Sequence, residues 1–372
     1  MPLPSSPAAL RYLAANLPYA LRLCMLVLAA LCSPLSLAAD SAATSPTEAA
    51  APPPGSIALV LPLASPSYGR AAEAVKAGFV AAAQAAKSEA RVKVIGHGDE
   101  NVLPAIAAAY GGGASLIVGP LIRDDLKTVL ALDITGARLL ALNVTEDGTP
   151  LPANVYALTL AVESEGAQLA QAARDEGAQS LAEVVSDTPY EKRLQTSFTA
   201  AWEQAGGRSP AVYHFDPGVE MLRLLRRELR AHPVDAVLLS VSPENAALAK
   251  SFLPPGPVYT SSQLIDEGTA IAQRDLDNLR FVELPWIADP DNPAFAGLPR
   301  GKFGSISLER LYALGIDAFA VAQMLSQASV PSRIDIEGAT GRLFLKADHT
   351  FSREGRLMVF REGRPVPYER GR

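Results

Sequence analysis

Arg310-Leu311-Tyr312-Ala313-Leu314-Gly315-Ile316-Asp317-Ala318, followed about twenty residues later by Glu337-Gly338-Ala339-Thr340-Gly341-Arg342-Leu343, closes a long run of alternating strands and helices. A helix and then a glycine-rich turn into a hairpin is an ending that suggests a two-lobed binding fold. Upstream, one unit recurs. Ile57-Ala58-Leu59-Val60-Leu61-Pro62-Leu63 reads as a strand covered on both faces, because near-continuous apolar character marks a parallel sheet. A helix over about 70–87 follows, with Ala71, Val75, Phe79 and Ala82 on one face. Strands at 91–95, 115–118 and 138–142 then alternate with helices at 102–110 and 123–132.

A second series begins with a helix at 163–176. It continues through strands at 182–185, 211–215, 236–240 and 258–260, with helices at 190–204, 219–231 and 244–252 between and after them. Gly177 and Gly206-Gly207 are the helix stop signals. Parallel neighbours need crossover helices, so each series predicts a doubly wound α/β sheet, and two similar series predict two similar lobes. A helix over 308–327 and strands at 342–345 and 357–361 finish the chain. The proline-rich stretch from Ile287 to Gly304 reads as a long loop, open to use as a lid, a partner surface or a tolerated insertion.

The composition agrees with a folded chain: 372 residues, 49% hydrophobic and 19% charged, leave a sizeable core and little resemblance to a disordered polymer. Arg11 and Arg22 flank the apolar run Leu23 to Leu31, and Ser36-Leu37-Ala38 fits small-x-small cleavage. Residues 1–38 are therefore expected to be an export signal and residues 39–56, rich in Ala, Pro, Ser and Thr, a linker. That places the mature chain in the periplasm. Both cysteines, Cys24 and Cys32, fall inside the leader, so no disulfide is expected after cleavage. Leu31 directly before Cys32 argues against lipid attachment there, since lipoprotein signals carry a small residue at that place. The net charge of −6 becomes −8 once Arg11 and Arg22 leave with the leader, which disfavours nucleic acid as a partner.

Catalytic signatures are wanting. His97, His214, His232 and His349 are far apart and none sits in a metal-binding helix motif, so no metal or cofactor is expected. No Gly-x-Ser-x-Gly elbow occurs. Gly111-Gly112-Gly113 precedes a strand rather than opening a helix after one, which makes it a helix end and turn instead of a phosphate cradle. In open α/β sheets ligands bind beyond the carboxyl ends of the strands. Those ends are Ser65, Ser67 and Tyr68; Gly119, Pro120 and Leu121; Asn143 and Thr145; Asp187 and Tyr190; Ser240 and Ser242; Ser261 and Ser262. They are the cleft candidates, with chemistry suited to a neutral or zwitterionic small molecule.

At Val118-Gly119-Pro120-Leu121, at Pro285-Trp286, and above all at Arg310 to Ala318 and Gly338-Ala339-Thr340-Gly341, the sequence resembles the LppC family, on the wider framework of type I periplasmic binding proteins. The resemblance implies two lobes joined by three crossings, with 57–158 plus 286–333 in the first lobe and 159–285 plus 334–368 in the second. It further implies a non-enzymatic regulator of peptidoglycan synthesis that docks on a class A penicillin-binding protein. The family's activators carry a helical-repeat domain and a lipidated cysteine, whereas here Ile57 follows a short tether. A solute receptor is the alternative. Type I amino-acid receptors offer Ser and Thr after the third strand for an α-carboxylate, and this chain has Gly119-Pro120-Leu121-Ile122 instead.

Overall fold

A computed structural model describes residues 55–132, 136–145, 148–265 and 273–369. The expected leader, Cys32 and nearly all of the linker lie outside the described residues. Among the described residues no helix is long and apolar enough to cross a membrane.

The first sheet contains β1 (Ile57–Leu61), β2 (Val92–Gly96), β3 (Leu116–Val118), β4 (Arg138–Ala141) and β5 (Val155–Ala157), in the order β2-β1-β3-β4-β5. Every pairing is parallel, with Ile57 opposite both Val92 and Leu116. All five residues of β1 are buried, as its unbroken apolar run requires. Helices α1 (Gly69–Ala85), α2 (Leu103–Gly111) and α3 (Arg123–Leu130) are the crossovers.

The second sheet begins after α4 (Val162–Asp175). It takes β6 (Leu181–Val185), β7 (Ala211–His214), β8 (Ala236–Ser240), β9 (Val258–Thr260) and β10 (Leu279–Glu283), with α5 (Pro189–Gln204), α6 (Val219–Ala231) and α7 (Pro243–Lys250) as crossovers. These five strands are parallel. The chain then makes α8 (Pro285–Ala288) and α9 (Ile306–Leu325), a small antiparallel sheet of β11 (Asp335–Glu337), β12 (Arg342–Leu345) and β13 (Phe351–Glu354), and the hairpin β14 (Arg356–Arg361) and β15 (Arg364–Pro367). That hairpin adds antiparallel to β10, giving the order β15-β14-β10-β9-β8-β6-β7. The second lobe is thus a mixed sheet rather than a purely parallel one.

Side-chain packing divides the chain in an unforeseen place. Ile334, Ala339, Leu343 and Phe351 join the apolar core around β1, α1 and α9, while Met358 and Phe360 join the core of the second sheet. The stretch 334–354, expected in the second lobe, therefore packs with the first, and the third crossing lies between Glu354 and Arg356. The reason is local: β12 carries its apolar side chains, Leu343 above all, onto the first core, and Ala157 bridges to Thr350.

In the first lobe α1 and α9 approach to backbone contact. A Cβ on Gly78 would lie 1.9 Å from the Tyr312 carbonyl oxygen, and one on Gly315 2.1 Å from that of Val75. Phe79 and Phe319 then meet edge to face at 5.3 Å. Gly315 of the opening motif is thereby explained as a packing residue.

Candidate functional site

Two polar regions lie where the lobes meet. The first is an open cleft of about 940 Å³, lined by Arg123, Asn143, Val144, Thr145 and Gly148 from the first lobe and by Glu163, Pro189 and Arg193 from the second. The turn after β3 leads to Arg123 on its wall. Gly119 has φ +114°, and a Cβ there would lie 2.1 Å from the Val60 carbonyl oxygen, so only glycine fits. Gly119 donates its N–H to Leu140 O, and Pro120 O accepts from Leu142 N–H, which sets Asn143 at the rim. Asn143 Nδ2 donates to Leu121 O at 3.0 Å, while its Oδ1 accepts from Arg123 Nε at 3.1 Å and from Val144 N–H at 3.0 Å. That amide fastens the loop after β4 to the segment after β3. Across the cleft Arg193 stands 3.8 Å from Glu163, with both side chains about two-fifths exposed, a weak and screened ion pair.

The second region is a cavity of about 160 Å³ at the junction, lined among others by Glu165, Tyr190, Ser262, Glu283, Arg310 and Arg353. Glu283, 2% exposed, receives Arg310 Nη2 at 2.7 Å and Nε at 3.2 and 3.3 Å, and its Oε1 also accepts from Leu284 N–H. Arg310 Nη2 reaches on to Ser262 O at 2.8 Å. Glu165, 6% exposed, accepts from Ser262 N–H at 2.6 Å and from the Tyr190 hydroxyl at 3.4 Å. Burial pushes its carboxyl up to about 7, against the pull of the Ser262 amide and of Arg310. Burial pushes the Tyr190 phenol up as well.

Behind this cavity Asp317 is held by the turn Gly338-Ala339-Thr340-Gly341. It accepts N–H groups from Ala339 and Thr340, each at 2.7 Å, and the Thr340 hydroxyl at 2.5 Å. Burial outweighs those three donors and raises Asp317 to about 6. A Cβ on Gly338 would fall 2.6 Å from the Asp317 carboxylate, and one on Gly341, at φ +137°, 2.3 Å from Glu354 O. The turn also accepts Trp286 N–H at Ala339 O. Arg300 lies 3.8 Å over the Trp286 ring, and Tyr312 donates to Pro299 O at 2.6 Å, so the 287–304 loop is fastened beneath this corner.

The strand-end candidates are scattered among five fates. Asn143 and Thr145 border the cleft. Tyr190, Ser261 and Ser262 meet at the junction, with Tyr190 Oη 3.1 Å from Ser261 Oγ. Ser65, Ser240 and Ser242 are taken up inside the protein: Ser65 Oγ accepts from Tyr68 N–H, Ser240 donates to Glu191 O, and Ser242 Oγ accepts from the Asn245 side-chain amide at the start of α7. Ser67, Tyr68 and Asp187 are exposed, Asp187 held below the usual carboxylate range by Lys192 at 3.0 Å; Gly119, Pro120 and Leu121 form the packed turn. Sequence reasoning left out Arg123, Glu163 and Arg193 in the cleft and Glu165, Glu283 and Arg353 in the junction. A charge inside an apolar run, such as Glu283 after Phe281-Val282, was the available signal. Among the described residues no group of three or more His, Cys, Asp and Glu could hold a metal.

A family model described as "LppC putative lipoprotein" matches residues 49–363. A protein of Mannheimia succiniciproducens named penicillin-binding protein activator LpoA is 25% identical over 317 residues, covering 84% of this chain and 55% of its own. The chain spans about half the length of the curated relatives it matches. Among solved structures, the LpoA C-domain from Haemophilus influenzae, described as a regulator of PBP1A, superposes with a TM-score of 0.72 at 23% identity, over 84% of this chain and 99% of that one, and shows the fold. A protein from Chromobacterium violaceum described as a "putative branched-chain amino acid ABC transporter" reaches 0.71 at 32% identity, over 82% of this chain and 99% of its own.

Proposed function

This chain belongs to the LppC family, and from that premise we propose that it is a non-enzymatic, exported binding-fold protein of the bacterial periplasm that docks on a class A penicillin-binding protein and regulates peptidoglycan synthesis. The observation that carries this reading is the match of the whole two-lobed region to proteins named penicillin-binding protein activators. The buried polar groups of the junction are spent on holding the lobes to each other, which suits a platform for another protein. Interferometry between the chain from Ala39 onward and the class A penicillin-binding proteins of its own organism, with glycan polymerisation and crosslinking followed alongside, is the test. Micromolar or tighter binding with a changed synthase rate supports it; no binding and no rate change sinks it.

A solute receptor is the second reading, favoured by the open cleft and by the likeness to the Chromobacterium protein. A ligand entering beside Arg123, Glu163 and Arg193 would meet both signs of charge, as an amino-acid-like or muropeptide fragment carries. Thermal shift against amino acids and cell-wall fragments decides it, since a true ligand stabilises in proportion to the logarithm of its concentration. A flat response across the set removes this reading.

A further inference from the structure

The three crossings between the lobes each deliver one ionisable side chain to a single cavity. Glu165 stands on the first turn of α4 after the crossing from β5, Glu283 ends β10 before the crossing to α8, and Arg353 is the next-to-last residue of β13 before the crossing to β14. Helix α9 adds Arg310 to the same wall. With Asp317 behind it the cluster holds three acids and two arginines. Glu283 is taken up by Arg310 and Asp317 by its own three donors, whereas Glu165, among the described residues, accepts from the neutral Ser262 amide and Tyr190 hydroxyl. Arg353 is 7% exposed, donates to Thr340 O at 3.3 Å, and its buried Nε has no hydrogen-bond partner among the described residues.

We propose that this cavity is a proton-sensitive hinge, in which one proton taken up at Glu165 favours the packed junction and its loss favours a hydrated junction with looser lobes. The groups facing Glu165 are Tyr190 from α5, Ser261 and Ser262 after β9, Glu283 from β10, Arg310 from α9 and Arg353 from β13. Two effects oppose each other. The arginines, on the first-lobe side, attract an ionised Glu165 across the junction; enclosure without a charged partner favours the neutral acid. Enclosure wins, since the packed-state value is about 7 against 4.5 for a solvated glutamate. Hydration of the junction returns the carboxyl towards 4.5, so the packed form binds a proton more tightly and deprotonation favours opening. The separation of those values sets the ceiling at about 300-fold in the ratio of packed to loosened junction.

The test uses the full chain with Cys24→Ser and Cys32→Ser and spin labels at Lys93→Cys and Val212→Cys, exposed positions on β2 and β7. Interlobe distances are recorded between about pH 5 and about pH 9, a range that brackets the titration of a buried carboxyl. The parent is expected to broaden or shift above neutral, and Glu165→Gln to stay flat in the acid-form distribution. A parent distribution that never changes overturns the proposal, as does a Glu165→Gln chain that keeps the transition. If Glu165→Gln does not fold, amide exchange at Ser262 in the parent decides. Protection falling above neutral beyond the intrinsic base-catalysed rate supports the hinge, and constant protection ends it. The outcome is independent of whether any synthase is bound.

Discussion

The open cleft and the junction cavity are both polar, both lie between the lobes, and differ in nearly every other respect. In the cleft Arg193 and Glu163 face each other at 3.8 Å with side chains 40% and 44% exposed; in the junction Arg310 and Glu283 meet at 2.7 Å, 13% and 2% exposed. Water can replace the first interaction and has little access to the second. Polar chemistry at a strand end is therefore an unreliable guide to a binding site, since the most deeply buried polar groups here hold the protein to itself. The motif Arg310 to Ala318 illustrates this: Arg310 binds Glu283, Gly315 admits α1, and Asp317 holds the Gly338 to Gly341 turn.

The sharpest way to break the comparison is Arg310→Met. It leaves Glu283 buried without its cation, and a loss of about 3–5 kcal/mol is expected in urea unfolding. The double variant with Glu283→Leu should regain much of that loss, because the penalty lies in the orphaned charge more than in the pair itself. A loss near zero from the single variant would show that the junction is as wet as the cleft. Next in size is Gly315→Ala, where a methyl driven against Val75 O forces α1 and α9 apart and costs about 1–3 kcal/mol, read from the same unfolding curves.

A pH series follows. Glu165 is raised from 4.5 to about 7 and Asp317 from 3.8 to about 6. Both bind protons in the folded state at pH values where the unfolded chain has released them, so stability falls as pH rises through the window from about 4 to about 7. Below their unfolded values neither contributes any change. Glu165→Gln should flatten the upper part of that slope, and a slope left intact would assign it elsewhere. The smallest effect is expected from Arg193→Ala in the cleft, within about 1 kcal/mol in unfolding, because its ion pair is exposed. A larger loss would mean that the cleft is a structural element too.

Much of the element order was legible in the residues. Helices at α1, α3, α4, α5 and α7 begin and end within a residue or two of where glycines and apolar periodicity place them. Five strands were not: β5, β10, β11, β13 and β15. β5 has only three residues, Val155–Ala157. β10 carries Arg280 and Glu283, whose charges interrupt its apolar run and are met by Glu176 at 3.1 Å and by Arg310. Arg353 is buried, and nothing near it in Phe351-Ser352-Arg353-Glu354 signals that burial.

By itself the sequence determined the alternation of strands and helices and the parallel character of both sheets around β1 and β8, because apolar periodicity and backbone stereochemistry act over a few residues. Tertiary structure alone decided that 334–354 packs with the first lobe, that Glu165, Glu283, Arg310 and Arg353 share one cavity, and that Tyr190 and Ser262 face inward while Ser67 and Asp187 face water. The physical reason is distance along the chain. Glu165 and Arg353 belong to segments nearly two hundred residues apart, and their burial and charge state exist only once three separate crossings have been brought together.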